Sequence, residues 1–340
     1  MSFLLRQLLI YAVPLMIVAL AGVFAERSGV INLALEGIMI FGAFIGVVFV
    51  RIAQQWGVFQ TAFAAKDLWG LNGMMLLTML ICALMGALFS LLLAFAAINL
   101  KADQTIGGTA LNLLAPAIVL FFNRIIANQN NLLINGGSAN WFMLQKGNIG
   151  LENADNFFVN TFLDKVFPAT YVCILLYIIL SVILYKTKFG LRLRSCGENP
   201  QAAASLGINV NGMRYTGVLI SGALAGIGGF VYAMTTADCA STGDVAGFGF
   251  LALAVMIFGN WKPLNIALGA LLFGLFKCIA ASYSSLDLNG DGIYALKELG
   301  ININLYRLLP YLITLIVLAF TSKTSRAPKA EGIPYDKGMR

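Results

Sequence analysis

The chain has 340 residues, of which 59% are hydrophobic and only 11% are charged, and its mean hydropathy is +0.85. A soluble domain carries about a quarter charged residues, and a chain of this size cannot bury so much apolar surface in water. The sequence contains no histidine, which excludes catalysis by imidazole and the commonest transition-metal ligand. The composition therefore predicts a polytopic membrane protein. The basic residues behind the net charge of +7 lie between apolar runs, which indicates the ends of membrane spans rather than a surface that binds nucleic acid.

A helix needs about 20 mainly apolar residues to cross the hydrocarbon core. Nine apolar runs approach this length, at roughly 8–24, 30–50, 72–99, 105–127, 166–186, 214–236, 247–261, 263–284 and 307–321. The run at 247–261 is short, which predicts a partial or re-entrant segment. We therefore expect an all-α polytopic fold with about 8–10 transmembrane helices over residues 1–322, followed by a tail at 323–340.

The distribution of basic residues predicts the sidedness of these spans. Lys186, Lys188, Arg192, Arg194 and Arg214 surround the single acidic Glu198, so the loop at 187–213 is placed in the cytoplasm together with the basic tail. The segments 128–165, 237–246 and 285–306 are placed outside. Nine simple crossings then put the amino terminus outside, against the weak inward preference of Arg6, and a break that turns back within 26–50 would resolve this conflict.

Four polar side chains within the predicted spans are candidates for the substrate path: Asn32, Glu36, Asn112 and Asn123. Polar groups are costly in lipid and usually face a bundle interior or a pathway. Asn32 and Glu36 are four residues apart, which on a helix places them on one face. Asn112 and Asn123 lie three turns apart and would offer amides to a sugar or base. For Asn32 and Glu36, the alternative is a hydrogen bond to a neighbouring helix or a place at a helix break.

The loop at 187–213 has an organised local pattern. After its basic entry, the sequence predicts a tight turn at 197–200 and a short Ala-rich helix that stops at Gly207. Asn199 suits the N-cap of this helix and Pro200 suits its first position. A short helix held between two spans is poorly explained as a linker, so we predict a surface that another protein grips.

This loop resembles the coupling loop of ABC importer permeases of the branched-chain amino acid, ribose and simple-sugar group. The pattern of that group is G-x-x-x-R-x-x-G-x-N-P-x-A-A followed by Gly-Ile, and the matching residues here are Gly190, Arg194, Gly197, Asn199, Pro200, Ala202, Ala203, Gly207 and Ile208. The stretches 28–37, 214–229 and 258–263 continue the resemblance in order. Two further stretches, 102–114 and 326–335, resemble the nucleoside branch of the group.

The resemblance implies a type II ABC importer-like permease fold in the bacterial cytoplasmic (inner) membrane, with a cytoplasmic C-terminus. It implies a transport subunit that is not an enzyme, since a separate ATP-binding subunit would bind and hydrolyse ATP while seated on the loop. In agreement, the sequence contains no phosphate-binding loop of the G-x-x-x-x-G-K-[ST] type. The residues expected at this contact are Arg192, Arg194, Gly197, Glu198, Asn199, Pro200, Ala202, Ala203 and Gly207.

Further partners implied by the resemblance are a second permease subunit, as a heterodimer, and an extracytoplasmic substrate-binding lipoprotein. The function that follows is a translocation path for nucleosides. Simple sugars of the ribose or galactose type and branched-chain amino acids remain alternatives, since related permeases carry them. A secondary transporter driven by an ion gradient would need more intramembrane carboxylates than Glu36 and would leave the coupling-like loop unexplained.

Outside the family pattern, residues 287–298 fit the calcium loop D-x-[DN]-x-[DN]-G-x5-E at every fixed position. This loop lies in the predicted extracellular segment 285–306, where millimolar Ca²⁺ would fill even a weak site. The alternative is a polar Asp/Asn/Gly turn that resembles the motif without binding metal. The ligands would be Asp287, Asn289, Asp291, the carbonyl of Ile293 and a bidentate Glu298.

Overall fold

A computed structural model describes residues 2–57, 68–134, 142–150, 156–281, 283, 302–321, 326–336 and 338. The helices in these ranges are α1 Ser2–Glu26, α2 Leu35–Gln55, α3 Leu68–Ile98, α4 Gln104–Ala127, α5 Phe157–Phe162, α6 Pro168–Lys186, α7 Lys188–Glu198, α8 Pro200–Ser205, α9 Val210–Thr235, α10 Phe248–Phe258, α11 Pro263–Ala281 and α12 Ile303–Thr321. The strands described are two residues long each, with Leu132–Leu133 antiparallel to Ala240–Ser241. The predicted all-α class is confirmed.

Seven of the described helices are long and apolar enough to cross a membrane, namely α1, α2, α3, α4, α6, α9 and α11. Helix α10 is also apolar but has 11 residues, so it is about 16 Å long, half of the ~30 Å hydrocarbon core. Helix α12 contributes 19 further residues. These nine helices coincide with the nine predicted runs, including the partial one, and the polytopic membrane fold is confirmed.

Helix α9 is the centre of the bundle. Its most apolar stretch is 83% buried, against 22% for α4, and it packs on α1, α2 and α3. Two glycines on α9 allow this close packing. A Cβ added at Gly226 would overlap the carbonyl oxygen of Cys82, and one added at Gly229 would overlap that of Met39. The small residues of α9 therefore bring helix backbones together, as their spacing predicts.

The two ends of α1 lie on opposite sides of the bundle. Its Glu26 end lies beside residues 187–209, because a Cβ added at Gly197 would sit only 2.5 Å from the carbonyl oxygen of Arg27. With 25 residues, α1 is about 37 Å long, so its first residues lie far from that contact. There, the Arg6 guanidinium lies 3.5 Å from the Asp164 carboxylate. Relative to residues 187–209, the chain thus begins on the far side, as nine crossings require.

Residues 27–34 form a buried, non-helical link between α1 and α2. Gly29 has a φ of +97°, which glycine adopts without the steric cost that a Cβ would bring, and helix α2 begins only at Leu35. The expectation that Asn32 and Glu36 share a helical face is wrong, because Asn32 precedes the helix. The interrupted run therefore holds a link and one helix, and it adds no crossing.

The chain between α9 and α10 re-enters the bundle. Asn32 contacts Ser221 and Met39 lies against Gly229, so Glu36 is level with the middle of α9. Glu36 accepts hydrogen bonds from the first turn of α10, so α10 begins near the middle of the bundle. The non-helical chain before α10 covers the first half of this crossing and α10 covers the second half.

Candidate functional site

Residues 187–209, the coupling segment, are folded by three side-chain caps. Thr187, Asn199 and Asn209 begin α7, α8 and α9, and each accepts a hydrogen bond from a backbone N–H of the first turn, at 3.3, 3.0 and 3.1 Å. Pro200 is the first residue of α8, and Gly207, with a φ of +79°, lies just beyond its end. The predicted N-cap, first-position proline and terminating glycine are therefore confirmed.

The predicted turn at 197–200 is wrong. Residues up to Glu198 continue helix α7, and Asn199 alone is extended between α7 and α8. Gly197 is required inside α7 for a different reason, since its missing side chain lets the helix lie against the backbone of Arg27 and Gly29. The end of the predicted loop also differs, because Val210 already belongs to α9.

The residues predicted to meet an ATPase divide by exposure. Arg192, Glu198, Asn199, Ala202 and Gly207 are exposed, so they are available to a partner protein. The Glu198 carboxylate also pairs with the guanidinium of Arg27 at 3.2 Å, which ties α7 to the link after α1. An exposed ion pair of this kind contributes little stability, so its main effect is to orient the two groups.

The remaining members of the predicted set pack inside the protein. Ala203 is buried, and Pro200 and Arg194 are half-buried. The Arg194 guanidinium lies 4.8 Å from the ring centroid of Tyr185, and its Nε donates to the carbonyl oxygen of Gly190 at 3.3 Å. These residues shape the coupling segment and hold it against α6, as does the buried Gly197 described above.

Sequence reasoning missed the part of this surface that the C-terminal tail supplies. Tyr335 lines a cleft of about 930 Å³ together with Gln201, Ser205 and Asn209 of the coupling segment. Leu206 was also missed; it is 83% exposed, but among the alanines before it and Ile208 after it nothing in the sequence sets it apart. Nothing in the spacing of the sequence relates Tyr335 to Gln201.

In the middle of the bundle, the Glu36 carboxyl group binds the amino end of α10. Its Oε1 accepts from the Gly247 N–H at 3.0 Å, and its Oε2 accepts from the N–H groups of Gly249 and Phe250 at 2.6 and 3.2 Å. The first N–H groups of a helix have no partner within it, and lipid offers none. Glu36 therefore supplies the cap that a helix beginning inside a membrane requires, at its positive dipole end.

Asn32 and Asn112 hold the link before α2 in place. The Asn32 side-chain amide donates to the hydroxyl of Ser221 on α9 at 2.8 Å. Asn112 on α4 donates to the carbonyl oxygen of Leu33 and accepts from the Gly37 N–H, both at 2.8 Å. The Asn32 Oδ1 also accepts from the Ala34 N–H at 3.1 Å, so both amides satisfy backbone groups that the break between α1 and α2 leaves open.

Asn123 lies apart from the other three candidates, about 16 Å along α4 from Asn112. Its amide nitrogen donates to the carbonyl oxygens of Asn130 and Ser241 at 2.9 and 3.0 Å, which fixes the short strand pair on the far side. Its Oδ1 is buried and has no hydrogen-bond partner in the described part of the chain. All four candidates thus bridge protein elements, and their contact with a solute stays a prediction.

Lys277 on α11 points toward the non-helical chain before α10. Its ammonium donates to the carbonyl oxygen of Ala246 at 3.2 Å and lies 4.9 Å from the ring centroid of Phe248. A lysine within an apolar run is expected to extend to the membrane interface, and the contacts with Ala246 and Phe248 differ from that expectation. The carbonyl groups of the non-helical chain before α10 need donors, and Lys277 supplies one.

The calcium-type loop at 287–298 lies outside the described residues. Within the ranges that are described, no group of three or more His, Cys, Asp or Glu side chains is placed to hold a metal ion. The ligand set Asp287, Asn289, Asp291, Ile293 and Glu298 therefore remains a prediction from the sequence.

The chain matches known transport proteins over nearly its whole length. It is 42% identical to the nucleoside ABC transporter permease protein NupC of Lactococcus lactis subsp. cremoris, over 99% of this chain and 98% of that protein. It is 40% identical to the guanosine ABC transporter permease protein NupQ of Bacillus subtilis, over 100% of this chain and 98% of the relative. A shorter match, 31% identical over 31% of this chain and 29% of the relative, is to the nucleoside ABC transporter permease protein NupB of Lactococcus lactis.

No solved structure matches the chain significantly. The sequence profile of the family described as "Branched-chain amino acid transport system / permease component" matches residues 4–318, which include the coupling segment and all but the first two residues of the seven membrane-length helices described above. With its capped coupling segment, its multi-pass helical bundle and relatives of this identity, the chain belongs to the family of branched-chain amino acid transport system permease components.

Proposed function

We propose that this chain is the membrane-spanning permease subunit of an ATP-driven importer and forms the translocation path for nucleosides. The observation that carries the proposal is the similarity to NupC and NupQ, which are named as nucleoside and guanosine permeases, over 99% and 100% of this chain. The folded coupling segment supports it, because a capped and partly exposed helix pair at one end of the bundle offers a rigid surface to a partner.

The partner at this surface is an ABC ATP-binding subunit. The chain carries no phosphate-binding loop of its own, so ATP binding and hydrolysis belong to that separate subunit. In this arrangement, Arg192, Ala202, Gly207 and the missed Leu206 are exposed to the ATPase. The packed members of the set transmit its movement to the bundle.

A second permease subunit and an extracytoplasmic substrate-binding lipoprotein complete the importer. A heterodimer is supported by the two Lactococcus lactis relatives, NupC and NupB, which are both named as nucleoside permeases and both match this chain. The complex resides in the bacterial cytoplasmic (inner) membrane. The basic residues of the coupling segment support a cytoplasmic location for this side and for the tail at 326–336 beside it.

Uptake of labelled guanosine and inosine by cells that lack this gene tests the substrate. We expect uptake to be lost and to be restored by the wild-type gene. Unchanged uptake in a strain without another nucleoside system contradicts the proposal. Uptake of labelled ribose, galactose and leucine, measured in the same strains, tests the alternatives. Reduced uptake of one of these solutes with intact guanosine uptake assigns the translocation path to that solute instead.

We also propose that residues 287–298 bind calcium on the outer side, a structural role supported by agreement at every fixed position of the motif. Calcium that binds the folded protein raises its thermal stability as the concentration passes the dissociation constant. We expect a rise in the melting temperature in detergent at millimolar Ca²⁺, and no rise in Glu298→Gln, which loses the bidentate ligand. If the wild-type protein shows no stabilisation up to these concentrations, the loop is a polar turn.

A further inference from the structure

The C-terminal tail crosses the side of the bundle that carries the coupling segment, as an extended strap. Residues 326–336, the tail strap, contain no helix or strand, yet Pro328 and Ala330 are buried. An irregular segment without a core of its own stays in place only where other elements satisfy its backbone groups. The contacts of the tail strap therefore indicate which parts of the bundle it joins.

Two backbone hydrogen bonds fasten the middle of the tail strap. The Ala330 N–H donates to the carbonyl oxygen of Gly197 in α7 at 2.8 Å. The Gly332 N–H donates to the carbonyl oxygen of Gly29 in the link between α1 and α2 at 3.3 Å. The φ of Gly332 is +74°, a conformation that suits glycine, and it turns the chain between these two anchors.

Arg214, near the start of α9, anchors the tail strap. This residue of α9 is 1% exposed, and its Nη1 donates to the carbonyl oxygen of Ile333 at 2.9 Å. A buried guanidinium without a carboxylate partner is costly, so its position needs a compensating contact. The carbonyl oxygen of Ile333 supplies part of that contact, since Nε and Nη2 of Arg214 have no hydrogen-bond partner among the described residues.

The two ends of the tail strap reach further elements. The Arg326 N–H donates to the side chain of Asn260, in the turn between α10 and α11, at 2.9 Å. At the other end, the carbonyl oxygen of Asp336 accepts from the Gln201 amide of α8 at 2.9 Å, and its carboxylate lies 2.8 Å from the ammonium of Lys101. The tail strap thus contacts α7, α8 and α9, the link before α2, the turn after α10 and, through Lys101, the connection between α3 and α4.

A carboxyl pair reinforces this junction. The Glu331 side chain lies beside that of Glu26, whose Oε2 accepts from the Trp261 indole N–H at 2.6 Å. Trp261 follows α10, and the opposite end of α10 is the end that Glu36 caps. A displacement of the coupling segment therefore has a contiguous set of contacts through the tail strap to α1 and α10.

We propose that the tail strap is a positioning element that makes the coupling segment, the link at 27–34 and the turn after α10 move as one body, with Arg214 as its main anchor. This inference rests on the proposed function, because the movement originates in an ATPase partner. Without the tail strap, an ATPase would still bind the coupling segment, but the movement of the ATPase would be transmitted to the bundle through fewer contacts.

Spin labels test the shared movement without reference to the solute. The five native cysteines are buried, so labels attach to cysteines introduced at Leu206 of the coupling segment and at Ile333 of the tail strap, which are 83% and 54% exposed. In the reconstituted complex with its ATPase, we expect the distance between the labels to be the same in the nucleotide-free and ATP-bound states. A distance that changes between these states overturns the proposal.

Removal of the tail strap tests its effect on transport. In proteoliposomes that hold the full importer, a chain ending at Ser325 should hydrolyse ATP within about twofold of wild type but transport about tenfold less guanosine per ATP. Lys329→Ala, which changes only an exposed side chain, should behave as wild type. Unchanged guanosine transport per ATP overturns the proposal, and so does loss of ATPase co-purification, which would make the tail a docking element instead.

Arg214→Lys keeps the charge and loses the guanidinium contact, so it covers the case in which the shortened chain does not fold. We expect full-length Arg214→Lys to be assembled and to transport about fivefold less guanosine per ATP. Wild-type transport per ATP in this variant overturns the role of Arg214. A wild-type importer that moves no guanosine refutes the proposed function instead, and the spin-label distances still test the tail strap.

Discussion

Asn199 and Glu36 perform the same task in two different surroundings. Asn199 caps α8 from the adjacent residue, at an exposed position where water can replace a lost hydrogen bond. Glu36 caps α10 from 211 residues away, at a buried position in the middle of the bundle. The comparison teaches that the coupling segment is built from local signals. Helix α10, which begins in the middle of the bundle, instead depends on a single distant side chain that nothing nearby can replace.

The largest effect is expected at Glu36. Glu36→Ala leaves the N–H groups of Gly247 and of two residues in the first turn of α10 without acceptors in a dry environment, which costs about 3 kcal/mol or more. We expect a marked fall in melting temperature in detergent and loss of nucleoside uptake. Glu36→Gln retains one acceptor oxygen, so its melting temperature should lie between those of wild type and Glu36→Ala. A Glu36→Ala protein as stable as wild type would contradict the capping role.

Gly226 tests the dense packing that surrounds this interior. Gly226→Ala forces a Cβ against the backbone oxygen of Cys82 and should destabilise the protein by about 1–3 kcal/mol. Gly73→Ala is the matched control, since a Cβ at this helical glycine meets nothing within 4 Å. We expect it to be neutral or slightly stabilising because alanine favours helix. Equal melting temperatures for the two variants would show that α9 and α3 do not touch as described.

Asn199 gives the exposed counterpart of Glu36. Asn199→Ala removes the cap of α8 and should cost about 1 kcal/mol of local stability, because water takes up the freed N–H. We expect a nearly unchanged melting temperature but weaker co-purification of the ATPase. Asn199→Asp, which can still cap, is the control. A fall in melting temperature as large as that of Glu36→Ala would remove the contrast between the two caps.

The smallest effect is a pH dependence at Glu331. Burial raises the pKa of this carboxyl group from 4.5 to about 7, although the Glu26 side chain and the charge of Arg27 lower it. Between these values the docked tail holds a proton that a released tail gives up, so docking weakens as pH rises toward 7 and is constant above it. After correction for intrinsic rates, hydrogen exchange at Ala330 and Gly332 should accelerate over this range. Glu331→Gln should abolish the trend; a trend that persists points to another group.

Local signals were sufficient for much of the fold. The apolar runs predicted the membrane helices, and Asn199, Pro200 and Gly207 predicted the bounds of α8 because caps and helix terminators act within a few residues. The sequence showed which residues of the apolar runs are polar, but it did not indicate their hydrogen-bond partners. Glu36 meets α10, and Gly197 meets the tail strap, only after distant segments have packed.

The wrong expectations for Asn32 and for Lys277 have a similar origin. The helical face shared by Asn32 and Glu36 was inferred from spacing, but the chain at Gly29 leaves the helix. Hydrogen bonds from Asn32 to Ser221 of α9 and from Asn112 of α4 to Leu33 stabilise this non-helical link. The ammonium of Lys277 was expected at the membrane interface, but the non-helical chain before α10 offers it the carbonyl oxygen of Ala246. In both cases tertiary contacts satisfied a polar group that sequence spacing alone could not assign.

Site-specific photo-crosslinking tests the central claim most directly, namely that the coupling segment receives the ATPase. A photoreactive residue is placed at Leu206, which is 83% exposed on the coupling side, or at Trp56, which is 79% exposed beyond the far end of α2. We predict that the probe at Leu206 captures the ATP-binding subunit in the assembled importer and that the probe at Trp56 does not. Capture of that subunit from Trp56, or no capture from Leu206, would contradict the account.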